Sequence, residues 1–190
     1  MTNIVGVVPE RRLVTISIPV LDEEANIDRL LERLQVVAAQ NSAYDFEFLF
    51  TDNASADDTF AKLAEWAHRE PRLRALRFSR NFGFQRSILM NLLNARGNAA
   101  IQIDADLQDP PELIAEFLAK WNEGYKVVYG IRRSRREGPI LRSARKLHYR
   151  LISALSDVEV PLDAGDFRLI DREIIEHLRS FDDRAPYLRR

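Results

Sequence analysis

The sequence predicts an α/β domain with a mostly parallel central sheet flanked by helices. Short apolar runs alternate with segments of helical periodicity along most of the chain, and capping or turn residues separate them. Strands that alternate with helices in this way pair in parallel, because each helix carries the chain back across the sheet. The length of 190 residues and the hydrophobic content of 46% suit one core better than two. Residues 1–190 are therefore predicted to form a single domain.

The predicted strands are short and apolar. The first is an apolar run that indicates a buried strand, and the second shows three phenylalanines in alternation. A further short strand is predicted at 167–170, near the end of the chain. The five strands that precede it are predicted at 14–20, 46–50, 73–78, 99–103 and 127–131.

The predicted helices begin at acidic or capping residues. Asp22, Glu23 and Glu24 supply a cap and first-turn acids to the first helix. Ser55 and Asp58 have the spacing of a capping box, with Asp in place of the usual Glu, and are expected to cap the second helix. The fourth helix begins with prolines, where a missing N–H is harmless. The second, third and fourth helices are predicted at about 55–69, 84–96 and 110–123.

The charged residues are unevenly distributed. The formal net charge is only −1, yet residues 132–150 hold eight basic side chains against the single acid Glu137. With no cysteine, the chain cannot form a disulfide or a Cys-based metal site, which permits an intracellular setting. His68, His148 and His177 lack paired metal spacing, so no zinc site is predicted. No window reaches the roughly 18 apolar residues that a membrane-spanning helix needs.

Two carboxylates, Asp104 and Asp106, directly follow the predicted strand 99–103. In an extended chain, side chains two residues apart project to the same side, so the two carboxylates can share one cation. Mg²⁺ or Mn²⁺ prefers oxygen ligands, and substrate phosphate oxygens typically complete its coordination. A lone D-x-D pair is more often a solvated acidic turn, so the interpretation depends on the surrounding residues.

Four strings of residues follow one another along the chain. They are Pro-Val-Leu-Asp-Glu-Glu at 19–24, Thr-Asp-Asn-Ala-Ser-Ala-Asp-Asp-Thr at 51–59, Leu-Arg-Phe-Ser-Arg-Asn-Phe-Gly at 76–83 and Ile-Asp-Ala-Asp-Leu-Gln-Asp-Pro-Pro-Glu at 103–112. They resemble P-V-Y-N-E-E, D-D-G-S-x-D-x-T, L-S-R-N-F-G and D-x-D-L-Q-D-P-P-E, the signatures of family 2 glycosyltransferases of the dolichyl/polyprenyl-phosphate branch. The resemblance implies a GT-A-type, Rossmann-like sandwich. It also implies a metal-dependent hexosyltransferase that inverts the anomeric carbon of a nucleoside-diphosphate sugar.

The resemblance assigns roles to individual residues. Asp104 and Asp106 would hold Mg²⁺ or Mn²⁺ and, with Asp166, form the catalytic set. For Glu23 the alternative is ordinary charge complementarity at a helix N-terminus, and for Arg80 it is a surface salt bridge. The residues implied to bind the nucleotide or the donor sugar are Pro19, Leu21, Glu23, Asp52, Arg80, Asn81, Asp104, Ala105 and Gln108.

Three residues depart from the family strings. Leu21 replaces an aromatic residue, Asp22 replaces an Asn, and Asn53 replaces the second Asp of the D-D pair. An Asn accepts a hydrogen bond but carries no charge, so the choice of base is left open. Because Asp52 is retained, nucleotide binding is still expected, and the family branch alone favours uridine over guanosine.

The basic segment carries the predicted acceptor site. Residues 130–137 resemble the family's G-x-R-x-x-R loop, which implies that Arg132 and Arg135 meet the phosphate of a polyprenyl (undecaprenyl-type) phosphate, with Ser143 nearby. Apolar residues recur among the basic ones over about 132–157, which suits an amphipathic helix on an anionic membrane surface. A solvated basic helix packed on the domain fits the same pattern. The expected location is the cytoplasmic face of the cell membrane.

Asp166 belongs to the string Asp-Ala-Gly-Asp-Phe-Arg-Leu at 163–169, which resembles the family's G-D-F-R-L string. The resemblance makes it the carboxylate nearest the acceptor. A phosphate monoester has its second pKa near 6, so its attacking oxygen is already anionic at neutral pH. We therefore expect Asp166 to position groups, with base catalysis or a purely structural tie to a loop as the alternatives.

Other kinds of function fit part of the pattern. A transferase that acts on a saccharide or a protein would share the donor half, and a non-catalytic nucleotide-binding module would keep the fold without turnover. Nucleic-acid binding is not expected, because the arginines lack interleaved aromatic residues and a recognised motif. Residues 185–190 resemble the point where family members continue into a membrane region, which is expected to be absent here. A homo-oligomer is left open.

Overall fold

The structure, a computed structural model, describes residues 11–131 and 164–180. Within these residues, six strands form one sheet, and their positions agree with the predicted ones to within a few residues. The strands are β1 (Arg12–Val20), β2 (Tyr44–Asp52), β3 (Leu73–Arg77), β4 (Ala99–Gln102), β5 (Val127–Ile131) and β6 (Ala164–Asp171). Their order across the sheet is β3-β2-β1-β4-β6-β5.

The sheet is parallel except for β6. β1 pairs in parallel with β2 and β4, and β2 pairs in parallel with β3. β6 runs antiparallel between β4 and β5. The sequence predicted a strand at 167–170 but neither its place in the sheet nor its direction. Ile131 at the end of β5 pairs with Ala164 at the start of β6, so the chain leaves and re-enters the sheet at neighbouring positions. The prediction of a mostly parallel α/β sheet is confirmed.

Helices cover both faces of the sheet. The larger buried cluster joins Ile16 of β1 and Phe48 of β2 to a helix face that includes Leu30, and the smaller cluster joins Ile88 to Ile175 on the opposite face. The helices beside the larger cluster are α1 (Glu24–Gln40), α2 (Thr59–Arg69) and α4 (Ile114–Asn122), and a 3₁₀ turn at Pro111–Leu113 directly precedes α4. The helices beside the smaller cluster are α3 (Phe84–Asn94) and α5 (Arg172–Ser180). The result is a helix–sheet–helix sandwich.

Buried hydrogen bonds close the amino-terminal edge of the sheet. The Thr15 hydroxyl donates to Glu47 Oε2 at 2.8 Å and accepts from Gly97 N at 2.9 Å. Glu47 also accepts from Arg96 N at 3.2 Å and forms an ion pair with the guanidinium of Arg74. A buried carboxylate needs such partners, because an unpaired charge in the interior is costly. These contacts fix the loop between α3 and β4.

Glu70, directly after α2, is a buried carboxylate whose ionisation is linked to folding. Its oxygens accept hydrogen bonds from Arg72 Nε at 2.7 Å and from Gln35 Nε2 at 2.9 Å. Hydrogen bonds from Arg72, together with the one from Gln35, outweigh the effect of burial and lower the pKa of Glu70 from 4.5 to about 2. As the pH falls, the unfolded chain binds the proton first, so the stabilisation is complete above pH 4.5 and is lost as the pH approaches about 2.

We expect Glu70→Gln to lower the free energy of unfolding by about 2 kcal/mol at pH 6, after allowance for the partial exposure of Arg72. The difference from the wild type should shrink at pH 3, where much of the wild-type advantage is lost. Urea unfolding at the two pH values measures both quantities. Glu65→Gln, which removes an exposed carboxylate paired with Arg69, is the matched control and should have almost no effect. An equal Glu70→Gln effect at both pH values would contradict the linkage.

Candidate functional site

The carboxyl ends of the central strands meet at one edge of the sheet. Val20 pairs with Asp52, and Asp52 pairs with Arg77, so β1, β2 and β3 end side by side. Gln102 pairs with Ser17, and the chain continues along β1 for one more residue because Ile103 N donates to Ser17 O at 3.0 Å. Ligand sites in open α/β sheets lie at this edge. The predicted donor residues lie at or shortly after these strand ends, so the fold brings them to the same edge.

Asp104 and Asp106 lie beyond the end of β4. Continuing the Ser17–Gln102 register by two residues places Asp104 level with Pro19. The chain then forms a turn at 105–106, so the argument from an extended strand does not apply to this pair. Asp106 is exposed, and its Oδ1 accepts a hydrogen bond from Gln108 N at 3.0 Å, which fixes the turn.

The carboxylate oxygens of Asp104 and Asp106 suit a hard divalent cation. Within 11–131 and 164–180, no group of three or more His, Cys, Asp or Glu side chains is arranged to enclose a metal ion. Two carboxylates alone leave most coordination positions to other oxygens, and Mg²⁺ or Mn²⁺ commonly takes these from phosphates and water. Asp104 and Asp106 therefore suit a cation that arrives with a diphosphate.

Asp166 lies at the same edge as Asp104. β4 and β6 pair antiparallel as far as Gln102 and Arg168. Continuing that register by two residues brings Asp166 level with Asp104, and the Asp166 side chain is partly exposed. The predicted role of Asp166, as the carboxylate nearest the acceptor, stays a prediction.

Asp52 is buried at this edge of the sheet and is not open to solvent. Its side chain is 0% exposed, and Oδ2 lies 3.1 Å from Arg77 Nε. Its Oδ1 accepts hydrogen bonds from the backbone N–H and the hydroxyl of Ser55. In this state Asp52 organises the loop after β2, and the direct contact with a base stays a prediction.

The predicted cap of α2 is wrong. The helix begins at Thr59, and neither Ser55 nor the N-cap residue Asp58 makes a side-chain cap. The Ser55 hydroxyl binds Asp52 instead, and Thr59 N donates to Asp57 Oδ1 at 3.0 Å. Burial would raise the pKa of Asp57, but hydrogen bonds from Thr59 outweigh it and hold that pKa below its usual value.

The loop after β1 is bound to the loop after β2. Asp22 N donates to Ser55 Oγ at 2.9 Å, and Asp22 Oδ1 accepts from Ala56 N at 2.7 Å. Glu23 N donates to Thr59 Oγ1 at 2.8 Å. Glu23 is partly exposed, and its carboxylate accepts a hydrogen bond from Asn26 Nδ2 at 2.7 Å, so one of its oxygens is held by its own helix.

Backbone strain is concentrated at the same edge. Among the described residues, those other than glycine with positive φ are Asp22 (55°), Ala54 (65°) and Leu107 (61°). Each follows a central strand, namely β1, β2 or β4. Such conformations cost of order 1 kcal/mol or more and are typical of functional sites.

Arg80 and Asn81 are exposed in the loop between β3 and α3. Within the described ranges Arg80 forms no salt bridge, and its guanidinium lies 4.8 Å from the ring centroid of Phe82. Phe82 packs edge-on against Phe78 with 5.2 Å between centroids. The loop thus presents a cation and an amide at the strand ends, and their contact with a diphosphate stays a prediction.

The remaining predicted residues differ in accessibility. Pro19 and Ala105 are buried, whereas Gln108 is exposed and Leu21 is 40% exposed. Arg132, Arg135 and Ser143, and the basic segment 132–157, lie outside the described residues. In the parts of the chain that are described, no helix is both long and apolar enough to cross a membrane.

Sequence reasoning missed the residues that connect the loops. Ser55 was assigned to a helix cap, although its hydroxyl binds Asp52. No role was assigned to Asp57, which binds Thr59. Asn53 was visible only as a departure from the family string, yet its side chain contacts the loop after β3. Neighbouring strand ends were the available signal, because short polar side chains there can reach across to the next loop.

Comparisons with curated proteins give relatives among bacterial glycosyltransferases. The chain is 40% identical over 176 residues to YkcC, an uncharacterized glycosyltransferase of Bacillus subtilis, covering 92% of this chain and 54% of that protein. It is 30% identical over 177 residues to the prophage bactoprenol glucosyl transferase homolog of Escherichia coli K12, covering 93% of this chain and 58% of that protein. The chain therefore spans little more than half the length of these relatives.

Comparisons with solved structures show the fold. The mannosyltransferase PcManGT from Pyrobaculum calidifontis, in complex with GDP-Man and Mn²⁺, matches with a TM-score of 0.63 and 20% identity, over 90% of this chain and 47% of that one. Glucosyl-3-phosphoglycerate synthase from Mycobacterium tuberculosis, in complex with Mn²⁺, UDP and phosphoglyceric acid, matches with a TM-score of 0.60 and 21% identity, over 86% of this chain and 57% of that one. The predicted GT-A fold is confirmed. A family profile described as Glycosyl transferase family 2 matches residues 15–179, and the chain belongs to that family.

Proposed function

We propose that the chain is the catalytic domain of a metal-dependent, inverting glycosyltransferase. It takes a hexosyl unit from a nucleoside-diphosphate sugar, with UDP as the preferred nucleotide, and transfers it to a polyprenyl phosphate at the cytoplasmic face of the membrane. The observation that carries the proposal is the convergence of Asp104, Asp106 and Asp166 with the loops after β1 and β3 at one sheet edge. The likeness to bactoprenol glucosyl transferases, at 30% identity over 93% of this chain, supports the choice of acceptor.

The proposed mechanism relies on positioning and charge. Asp104 and Asp106 hold the divalent cation, which, when bound, offsets the charge that develops on the departing diphosphate. Arg80 adds a second positive charge at this edge, and guanidinium groups bind phosphate oxygens well. The acceptor oxygen is already anionic near neutral pH, so Asp166 has to align groups more than remove a proton. Displacement from the face opposite the diphosphate inverts the anomeric carbon.

Calorimetric titration with UDP and GDP tests the donor site. We expect UDP to bind in the presence of Mn²⁺ or Mg²⁺, and binding to be lost with chelator or in the Asp104→Ala/Asp106→Ala variant. Circular dichroism of the variant controls for folding. Absence of binding by either nucleotide to the folded wild type would contradict the donor site, whereas metal-dependent binding of GDP alone would change the base and retain the site.

The acceptor is tested separately. Transfer of labelled sugar to a short-chain prenyl phosphate is expected, with no transfer to free saccharides or peptides. Transfer to a saccharide or a peptide instead would keep the donor half of the proposal and overturn the acceptor. If a chain extended to the length of its relatives binds the donor sugar nucleotide and yet neither transfers nor hydrolyses it, that result would favour a non-catalytic module.

A further inference from the structure

Asn53 connects the ends of three neighbouring strands. It directly follows β2, is 3% exposed, and donates its backbone N–H to Val20 O, at the end of β1, at 2.9 Å. Its side chain contacts the loop after β3, because Phe82 N donates to Asn53 Oδ1 at 2.8 Å and Asn53 Nδ2 donates to Asn81 Oδ1 at 2.8 Å. One buried amide therefore holds the loop that carries Arg80.

The orientation of both side-chain amides follows from their backbone partners. A backbone N–H can only donate, so Phe82 N requires the oxygen of Asn53 to face it. Gly83 N likewise donates to Asn81 Oδ1 at 2.8 Å. The oxygen of Asn81 is thus held from two sides, by Asn53 and by Gly83. The two N–H donors of Asn81 then point away from these contacts, on an exposed residue at the site edge.

We infer that Asn53 is a positioning residue of the donor site, which holds Asn81 so that its N–H donors face the diphosphate. The inference rests on the proposed function, since a diphosphate accepts hydrogen bonds and cannot donate them. It also gives the departure at position 53 a physical meaning. An ionised Asp there would offer only acceptors, so it could not donate to the oxygen of Asn81 as Asn53 does.

Nucleotide affinity and amide exchange test the inference together. In Asn53→Ala we expect amide exchange at Phe82 and Gly83 to accelerate at least about tenfold, and the Kd of UDP with Mn²⁺ to rise about tenfold. Asn53→Asp should keep the hydrogen bond from Phe82 N and still raise the Kd of UDP. Asn98→Ala is the matched control, because Asn98 also accepts from a backbone N–H, that of Leu13 at 2.9 Å, but at the opposite edge. Its Kd should stay within about twofold of the wild type.

A double-variant cycle separates positioning from a general structural role. If Asn53 acts through Asn81, then Asn53→Ala should add little to the loss of affinity already present in Asn81→Ala. Fully additive losses, or unchanged exchange and affinity in Asn53→Ala, would overturn the inference. Failure of the wild type to bind either UDP or GDP would instead contradict the proposed function, and the exchange measurements would still decide whether Asn53 holds the loop.

Discussion

Asp106→Asn is expected to reduce kcat/KM for metal-dependent sugar transfer by about 10²–10³-fold without unfolding the protein. The hydrogen bond from Gln108 N to Asp106 Oδ1 can be kept by the amide oxygen of Asn, so the turn persists. What the variant loses is the negative charge, and a neutral amide is a much weaker ligand for a hard divalent ion. Initial rates over a range of Mn²⁺ concentrations measure the loss and show whether more metal restores part of it.

Asp45→Asn provides the control for the Asp106 variant. Asp45 is exposed near the start of β2, at the opposite edge of the sheet, and lies 3.7 Å from Arg11. Removing its charge should leave kcat/KM unchanged. If Asp106→Asn kept more than half of the wild-type activity at limiting Mn²⁺, the assignment of Asp106 as a metal ligand would be wrong.

Gly97→Ala is expected to destabilise the fold by roughly 3 kcal/mol or more. A Cβ atom at this position would lie 2.6 Å from Ala99 O, 2.6 Å from Thr15 N and 2.9 Å from Leu13 O. All three are backbone atoms of β1 and β4, so relief requires the two strands to move apart. Equilibrium unfolding in urea measures the change, together with the midpoint of thermal denaturation.

The matched control for Gly97→Ala is Gly130→Ala. A Cβ atom at Gly130 would meet its nearest neighbours at 3.7 Å, in ordinary van der Waals contact with Phe117 and Phe167. This substitution should change the free energy of unfolding by less than about 1 kcal/mol. A Gly97→Ala protein as stable as the Gly130→Ala protein would show that the α3–β4 loop can shift, contrary to its dense hydrogen bonding.

Much of the fold could be predicted because hydrophobic periodicity is a local property of the chain. The apolar run of β1 and the helical spacing of Ile27, Leu30 and Leu34 in α1 required no knowledge of distant contacts. The place of β6 could not be predicted in this way. Its position beside β4 depends on pairs such as Gln102 with Arg168, which lie far apart in the sequence.

The candidate site shows the same division. Asp104 and Asp106 could be located because they follow a strand in an α/β fold, where sites gather at carboxyl ends. The contacts of Ser55 could not, because its hydroxyl can either cap a helix or bind Asp52, and spacing alone does not decide between them. The contact between Asn53 and Asn81 spans 28 positions of sequence and depends on β2 and β3 ending side by side.

The pairing of Ile131 with Ala164 bears on how the sheet tolerates changes in chain length. The chain leaves β5 and returns in β6 at paired positions, so this pairing holds the two ends of the intervening stretch side by side. Because the entropic cost of closing a chain segment grows only slowly with its length, a change in the number of residues between these two positions is expected to leave the pairing of β5 with β6 intact.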